Sequence, residues 1–368
     1  MTSTLHTEEM ILNLGPQHPS THGVFRLVVT MDGEQIVDAD PVVGYLHRGT
    51  EKLAEELQYT QIIPYTDRMD YIASMINNYA LVHSVEYALD VEVPARADFL
   101  RMIVMELNRV ASHMVFLGTY LLDLGAMSPF LFAFIEREKI VDLFTEICGA
   151  RLTYNYMRVG GVKWDAPPGW IEKVRALVPT LREKVKMISD LVTGNEIFLN
   201  RVKGVGIFTK EEALNYSVSG VNLRSTGFAH DLRKVRPYSI YDKFDFDVIV
   251  GATGDAYDRY MCRLREIEQS LRIVEQAAAQ IPDGPIMGKV PKMIRVPAGE
   301  YYTSIEGARG ELGVYIVSDG KDKPYRLKFH RPSFVNLQIL RKLLIGENVA
   351  NLIAILGAVD IVLGEVDG

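Results

Sequence analysis

The 368-residue chain contains only two cysteines, Cys148 and Cys262, which stand far apart in the sequence. They form no CxxC pair, no iron–sulfur spacing and no disulfide framework. Such sparse cysteine usage predicts a reducing, cytoplasmic setting. The cysteines therefore supply neither a ligand set for a metal centre nor a covalent staple.

A long uninterrupted apolar run is also missing. The most apolar stretch, residues 114–135, is broken by Asp123, Gly125 and Pro129, and residues 1–9 carry no apolar segment typical of a signal peptide. Length and charge criteria therefore predict neither a signal peptide nor a transmembrane helix.

Positive charge is not concentrated anywhere, because 40 lysines and arginines are spread among 47 aspartates and glutamates, for a formal net charge of −7. No basic stripe of the kind that duplex nucleic acid requires is present, so we expect no nucleic-acid partner. Nucleotide motifs are missing too: Gly204-Val205-Gly206 is followed by Thr209 where a third glycine would stand, and no P-loop or GxSxG motif occurs. The chain is predicted to bind no nucleotide itself.

What the chain does have is a hydrophobic content of 48%, enough for a substantial core. Alternating apolar residues predict a hairpin within residues 24–45, turning at Asp32-Gly33, and strands within 301–329. Elsewhere apolar residues recur every three or four positions. This period predicts helices from about 51, at 68–89, 95–124, 130–156, 170–191, after a capping box at Thr209 and Glu212, at 255–279 and at 334–356.

These elements predict an α+β fold in which a helical bundle is flanked by regions that contain β-strands. We expect three regions in one compact unit. They are a β-rich region at 1–60, the bundle at 61–285 and an α+β region at 286–368.

The loop at residues 15–23 holds two of the eight histidines, His18 and His22. Their HxxxH spacing suggests a metal pair, but Pro19 disfavours a helix and no cysteine or glutamate stands nearby to complete a site. The alternative is a histidine that only hydrogen-bonds within the loop. Because loops often carry function, we keep both interpretations.

Asp123 is the only charged residue between His113 and Glu136. A carboxylate in such apolar surroundings is desolvated unless it finds a cation or hydrogen-bond donors. It could cap the turn near Gly125. It could instead pair with a histidine and move a proton near neutral pH.

Arg48, Arg68 and Arg109 stand beside helix starts or within apolar periodic segments. Each could be an ordinary surface or ion-pair arginine. Tyr71 could likewise be a core aromatic or a proton donor. Residue type alone does not decide among these roles.

Longer stretches are more specific than single residues. Several occur in order along the chain: LNLGPQHPSTHGVFRL (12–27), GYLHRGTEKL (44–53), PYTDRMDY (64–71), LGTYLLDLGAMSPF (117–130), RGELGVYIVSDG (309–320) and DIVLGEVDG (360–368). Together they resemble the 49 kDa-type subunit, called the D subunit in bacteria, of respiratory complex I, NADH:quinone oxidoreductase. The resemblance covers nearly the whole chain from Ile11.

That family is similar to the large subunit of nickel–iron hydrogenases, which hold their metal with an RxCGxC and a DPCxxC motif. The nearest equivalents here are residues 68–73 and 360–365, in which all four thiolates are absent. Without soft ligands a nickel–iron centre is not held. The resemblance implies that a quinone headgroup occupies the vacated cavity.

The resemblance also implies roles for individual residues. His22 and Tyr71 are expected to hydrogen-bond the two quinone carbonyls, and Asp123 is expected to pair with His22. Thr119 and Leu122 would belong to the apolar wall of the pocket. Arg48, Arg68 and Thr153 would lie near the terminal iron–sulfur cluster of a neighbouring subunit.

By this resemblance the chain is the quinone-site subunit of a proton-translocating NADH:quinone oxidoreductase, peripheral on the cytoplasmic side of the cell membrane. The implied partners are the small iron–sulfur B subunit, the C and I subunits and the membrane-embedded H subunit. Iron–sulfur clusters and FMN would be held by partner subunits, and the chain itself would hold no metal. Two alternatives remain, a non-catalytic scaffold subunit and a hydrogenase-like metalloenzyme, and the missing cysteines disfavour the second.

Thr153 departs from the family pattern, because many relatives carry a histidine after the corresponding Gly-Ala-Arg motif, here residues 149–151. A missing protonatable group near the cluster is expected to lower the cluster's potential and to weaken its pH dependence. We therefore expect a low-potential quinone such as menaquinone. Many relatives also have a longer segment near residues 287–297, whose contacts are not transferable to this chain.

Overall fold

The computed structural model of the protein describes residues 9–18 and 23–368. It confirms the predicted α+β architecture, a helical core with small sheets beside it. Within the described residues the first elements are the strands β1 (Glu9–Leu14), β2 (Gln17–His18), β3 (Gly23–Val24), β4 (Arg26–Asp32) and β5 (Gln35–Val42).

The predicted hairpin is the pair β4–β5, and β1 adds a strand that periodicity did not predict. These three strands form an antiparallel sheet in the order β1-β4-β5. The side chains of β4 alternate between buried and half-buried, with Leu27, Val29 and Met31 on the inner face. Gly33 has φ +62°, which suits the tight turn between the strands.

The helical core follows. Its first half comprises α1 (Thr50–Ala54), α2 (Tyr59–Thr66), α3 (Ser74–Leu89), α4 (Ala95–Asp123) and α5 (Met127–Cys148). Two short strands and further helices come next: β6 (Met157–Arg158), β7 (Gly161–Val162), α6 (Trp170–Val192), α7 (Glu196–Val202), α8 (Lys210–Asn215), α9 (Gly220–Arg224), α10 (Leu232–Val235) and α11 (Ala256–Gln280).

Helix α4 is the centre of this core, since most of its residues are buried and it packs against α5 and α11. The predicted helices at 95–124, 170–191 and 255–279 are confirmed as α4, α6 and α11. Pro179 lies inside α6 without ending it. The capping box that Thr209 and Glu212 predicted opens α8, with Glu212 N donating to Thr209 Oγ1 and Thr209 N to Glu212 Oε2.

The C-terminal region contains β8 (Gly299–Glu306), β9 (Glu311–Ser318), β10 (Arg326–His330), α12 (Pro332–Leu337), α13 (Leu340–Leu344), α14 (Leu352–Val359) and α15 (Leu363–Asp367). The three predicted strands are confirmed, and they form an antiparallel sheet in the order β10-β9-β8. A second apolar cluster joins the two ends of the chain, because Leu27 and Val29 of β4 share it with Leu340 and Ile355. The division at residues 60 and 285 stays a proposal.

Three of the predicted helices differ in extent from those of the structure, and the one predicted from residue 130 already begins at Met127. The helix expected from Arg68 begins at Ser74, because residues 67–73 form turns closed by Asp70. The helix expected to reach residue 156 ends at Cys148, since Gly149 takes the left-handed conformation with φ +80°. The run at 334–356 is divided into α12, α13 and α14, with a left-handed Gly346 after α13.

Within residues 9–18 and 23–368, no helix combines the length and the apolar character that crossing a membrane requires.

Candidate functional site

A cavity of about 290 Å³ opens beside the turn that joins α2 to α3. It is lined by residues from the N-terminal region, from this turn, from the loop after α5 and from the C-terminal helix α15. Four residues that the sequence singled out line it together: Arg48, Arg68, Tyr71 and Thr153. Apolar side chains between them include Leu46, Met69 and Leu152.

Tyr71 is half-buried at the wall of the cavity. Burial raises the pKa of its phenol, the charge of Asp70 raises that pKa further, and Arg309 opposes the change. The phenol therefore keeps its proton at neutral pH. A protonated phenol can donate a hydrogen bond to an oxygen of a ligand in the cavity.

Arg48, Arg68 and Thr153 form what we call the rim of the cavity. Arg48 is exposed and stands just before Gly49, the left-handed residue that caps α1. The Arg68 side chain is 44% exposed, and its Nη1 donates to the Pro64 carbonyl at 2.5 Å. Both guanidinium groups therefore keep most of their charge available to whatever binds at this face.

Thr153 lies in an irregular loop after α5 and has φ +47°. This loop is hydrogen-bonded to residues 67–73, the turn that carries Tyr71 and that we call the tyrosine turn, because Asn155 N donates to Asp67 Oδ1 at 3.2 Å. Asp67 is fully buried, and burial raises its pKa to about 6 although the hydrogen bond from Asn155 opposes the change. A group that titrates near pH 6 therefore stands directly behind the rim.

Two segments meet at this cavity, residues 68–73 and 360–365, for which the resemblance implied a correspondence to the hydrogenase metal motifs. A Cβ placed on Gly364 would stand 2.7 Å from the Met69 carbonyl oxygen, 2.8 Å from the Arg68 carbonyl oxygen and 3.1 Å from Cε1 of Tyr71. Real Cβ atoms do not approach backbone atoms so closely. A side chain at residue 364 would therefore push α15 away from the tyrosine turn.

Behind Tyr71 lies a set of buried charged side chains that we call the inner ionic cluster. Its members pair with oppositely charged neighbours and come from the turn before α3, from α4, α9, α10 and α11, from β8 and the turn after it, and from the end of α14. They are Asp70, Glu106, Arg109, His113, Arg224, Asp231, Arg233, Arg263, Glu266, Glu306, Arg309 and Asp360. All are buried except Asp360, whose side chain is 10% exposed. Charges at such depth are retained only when they are paired.

Pairing in the inner ionic cluster is dense. Arg224 Nη1 lies 2.7 Å from Glu306 Oε1, and the other terminal nitrogen of Arg224 contacts Glu266. His113 Nε2 lies 2.9 Å from Glu266 Oε2. Burial alone would raise the pKa of Glu266, but Arg224 and His113 hold it well below its usual range. Burial also lowers the pKa of His113, which favours the neutral imidazole.

Other predicted site residues do not line this cavity. Thr119, Leu122 and Asp123 lie in the last turns of α4, where Thr119 Oγ1 donates to the Val115 carbonyl at 2.9 Å and Leu122 is 39% exposed. Asp123 is half-buried and ends the helix. His22 lies outside the described residues, as does the side chain of His18. Both interpretations of this histidine pair therefore stay predictions.

A larger cleft of about 620 Å³ lies between residues 89–95 and 285–291. It contains none of the candidate site residues, but its lining includes Met287, Gly288, Lys289 and Pro291 of the segment that is longer in many relatives. In the part of the chain that the structure describes, no group of three or more His, Cys, Asp or Glu side chains could hold a metal ion.

Sequence reasoning did not find the inner ionic cluster. Of its members, Arg109 alone was considered individually, as an ordinary surface or ion-pair arginine; it is buried and pairs with Glu106 at 3.3 Å. One signal was available. Glu106 and Arg109 follow one another three residues apart inside a strongly apolar helix, a spacing that places both on one buried face.

Comparisons with known proteins identify the class of this α+β chain. The family model for the 49 kDa subunit of respiratory-chain NADH dehydrogenase matches residues 123–296 and 289–368. The NADH-quinone oxidoreductase D subunit of Bacillus mycoides strain KBAB4 is 68% identical over 365 residues, which is 99% of this chain and 100% of the relative. The D subunits of Bacillus anthracis and Geobacillus thermodenitrificans strain NG80-2 are 67% and 68% identical over the same coverage.

The chain therefore belongs to the 49 kDa subunit family of respiratory-chain NADH dehydrogenase, which is also the D subunit family of NADH-quinone oxidoreductases. This confirms the family and the fold that were predicted from the sequence.

Proposed function

We propose that this chain is a peripheral subunit of an NADH:quinone oxidoreductase and forms the site at which the quinone is reduced. The observation that carries the proposal is the 290 Å³ cavity, because it brings Tyr71 together with the rim residues Arg48, Arg68 and Thr153. The full-length similarity to proteins named as the D subunit of NADH-quinone oxidoreductase supports the same function.

Tyr71 is the proton donor of the proposed site. Two-electron reduction of a quinone builds negative charge on its oxygens, and a protonated phenol stabilises that charge and can transfer its proton. The raised pKa of Tyr71 keeps this proton in place until charge develops on the substrate. His22 would serve the second carbonyl, with Asp123 as its carboxylate partner.

The rim receives the electrons. In the proposed complex the last iron–sulfur cluster belongs to the small iron–sulfur B subunit, and FMN and the other clusters belong to further partners. Exposed guanidinium groups of Arg48 and Arg68 would favour the reduced form of a nearby cluster and would contribute to docking of that small subunit. The C and I subunits and the membrane-embedded H subunit complete the proposed contacts at the cytoplasmic face.

Proton translocation would begin with the protons that Tyr71 and His22 donate to the quinone. Donation to the quinone changes the charge state of the His22–Asp123 pair in a medium of low dielectric constant. Re-pairing of these groups would bias a conformational change toward the membrane partners.

The test is quinone reduction by membranes that carry Tyr71→Phe. We expect NADH:quinone turnover to fall on the order of 10²-fold, since a positioned general acid contributes that much. NADH:ferricyanide turnover is expected to stay unchanged, because ferricyanide takes electrons upstream of the quinone. A companion variant, Asp123→Asn, is expected to lower quinone turnover and the accompanying proton translocation.

The ferricyanide rate and the amount of assembled complex are the controls. A scaffold subunit without a catalytic role predicts that Tyr71→Phe and Asp123→Asn both leave quinone turnover at its original rate. That result would overturn the site assignment. A hydrogenase-like metalloenzyme is disfavoured already, because residues 68–73 and 360–365 contain no thiolate ligands.

A further inference from the structure

The turn that carries Tyr71 is held closed by its neighbour Asp70. Asp70 Oδ1 accepts hydrogen bonds from Ile72 N at 3.2 Å and from Ala73 N at 3.1 Å. These bonds bracket Tyr71, which stands between Asp70 and Ile72. The position of the phenol therefore depends on the Asp70 carboxylate, which is itself only 1% exposed.

Asp70 is held in turn by Arg309, which comes from the turn between β8 and β9. Arg309 Nη1 donates to Asp70 Oδ2 at 2.7 Å and to Ser112 Oγ of α4 at 2.9 Å. Its Nη2 lies 3.6 Å from Asp360 Oδ1, at the beginning of the segment that reaches Gly364. One guanidinium group thus joins the tyrosine turn, the central helix and the C-terminal segment.

This arrangement needs the shape of arginine as well as its charge. The guanidinium is a planar fork that contacts groups in several directions, whereas the lysine ammonium is a single point charge on a flexible stem. Asp70 also needs a cation, because burial raises its pKa and Arg309 is the main group opposing that change. Without Arg309 the pKa of Asp70 would rise further, and a protonated Asp70 would hold the two backbone N–H groups less firmly.

We infer that Arg309 is a positioning residue for the Tyr71 phenol in quinone reduction, acting through Asp70. This inference rests on the proposed function. Arg309 does not line the cavity. Its charge also lowers the pKa of the Tyr71 phenol, and lysine keeps that charge, so Arg309→Lys tests the turn that the guanidinium holds.

The experiment compares Arg309→Lys with Arg263→Lys in assembled complex in membranes. Arg263 is the matched control because it is equally buried and its ion pair, at 3.2 Å, is with Asp360 rather than with Asp70. We expect Arg309→Lys to lower NADH:quinone turnover on the order of tenfold, since a small displacement of a reacting group has effects of this size. Arg263→Lys is expected to change it by less than about twofold.

A double-mutant cycle separates positioning from a general structural role. In the Tyr71→Phe background the phenol is already gone, so Arg309→Lys is expected to cause less than about a twofold further loss. If Arg309→Lys lowers turnover by the same factor with and without the phenol, or has no effect at all, the inference is wrong. NADH:ferricyanide turnover reports assembly throughout.

Asp70→Asn provides a second route if Arg309→Lys does not assemble. It keeps the size of the side chain but removes the charge that Arg309 binds, so the same non-additive loss with Tyr71→Phe is expected. Additive losses would overturn the inference. The proposed function fails on a different result, namely an unchanged quinone turnover in Tyr71→Phe alone.

Discussion

The rim of the cavity and the inner ionic cluster use the same residue, arginine, in opposite ways. On the rim, Arg48 and Arg68 are exposed, and the carboxylate that comes within ion-pair distance of Arg68 is Asp67, at 3.9 Å. In the cluster, Arg224 and Arg309 are buried and contact three and two carboxylates, respectively. The two sets meet at the tyrosine turn, since Arg68 belongs to it and Arg309 pairs with its Asp70 at 2.7 Å.

The difference shows what each charge can do. A buried and paired charge is neutralised by its neighbours, so it orders the structure, and removing its partner leaves an expensive unpaired ion. An exposed charge contributes little to folding because water screens it. Its field instead acts on whatever docks there. We therefore expect the cluster to determine stability and the rim to determine electron transfer.

The largest effect on stability is expected when one arginine of the inner ionic cluster is replaced by methionine, and the same substitution on the rim is the comparison. Arg224→Met leaves Glu266 and Glu306 without their main cation and is expected to destabilise the fold by about 3–5 kcal/mol. Arg68→Met on the rim is expected to change stability by less than about 0.5 kcal/mol. Heating purified complex and following release of this chain on native gels measures both.

Equal release temperatures for the two variants would contradict the comparison. A loss of assembly confined to Arg224→Met would agree with it, because the chain is then too unstable to be incorporated. The same substitution is used at both positions because methionine keeps much of the apolar stem of arginine and removes the charge. Any difference between the two variants therefore comes from the surroundings of the arginine.

The two regions also differ in how far the sequence predicted them. Arg48, Arg68, Tyr71 and Thr153 were found because each belongs to a recognisable motif, and the structure brings them to one cavity. Long periodic helices such as α4 were predicted to within a residue or two. These features depend on local sequence, which a single chain displays directly.

The inner ionic cluster depends on contacts between residues that are distant in sequence. Asp70 and Arg309 are separated by 239 positions, and neither hydrophobic period nor motif spacing records such a pairing. Asp70 also explains why the helix that was predicted from Arg68 begins later, at Ser74. The Asp70 side chain binds the backbone of the turn before Ser74, so the helical pattern read from Arg68 is overridden by tertiary structure.

The next largest effect is expected for Glu365, whose contribution to the stability of the fold depends on pH. It is fully buried in α15, where burial and the charge of Asp70 raise its pKa to about 7, although Ser333 and Arg309 oppose the change. Its neutral form stabilises the fold relative to the unfolded chain, whose carboxyl titrates near 4.5. This contribution is complete below pH 4.5 and is lost as the pH rises through 7.

Glu365→Gln mimics the protonated side chain and can still accept the hydrogen bond from Ser333 N. At pH 8 the variant is expected to be more stable than the natural chain by up to about 3 kcal/mol, and at about pH 4 the two should be alike. Release of the chain on heating at the two pH values measures the difference. The exposed Glu92→Gln controls for loss of one carboxylate, and a Glu365→Gln chain that is destabilised at the higher pH would contradict the assignment.

The smallest expected effect belongs to the rim and leaves stability unchanged. Thr153→His introduces an imidazole into the cavity wall, near the proposed position of the terminal iron–sulfur cluster. A proton bound there favours the reduced cluster, so the midpoint potential should rise and should acquire a pH dependence approaching ~59 mV per pH unit near the imidazole pKa. Redox titration of the cluster at several pH values measures this.

In the natural chain the midpoint potential of the cluster should be lower and nearly independent of pH above about 7, because Asp67, whose pKa is about 6, is then already ionised. A natural midpoint that depends strongly on pH in that range would contradict this, and with it the expectation that a low-potential quinone such as menaquinone is the acceptor.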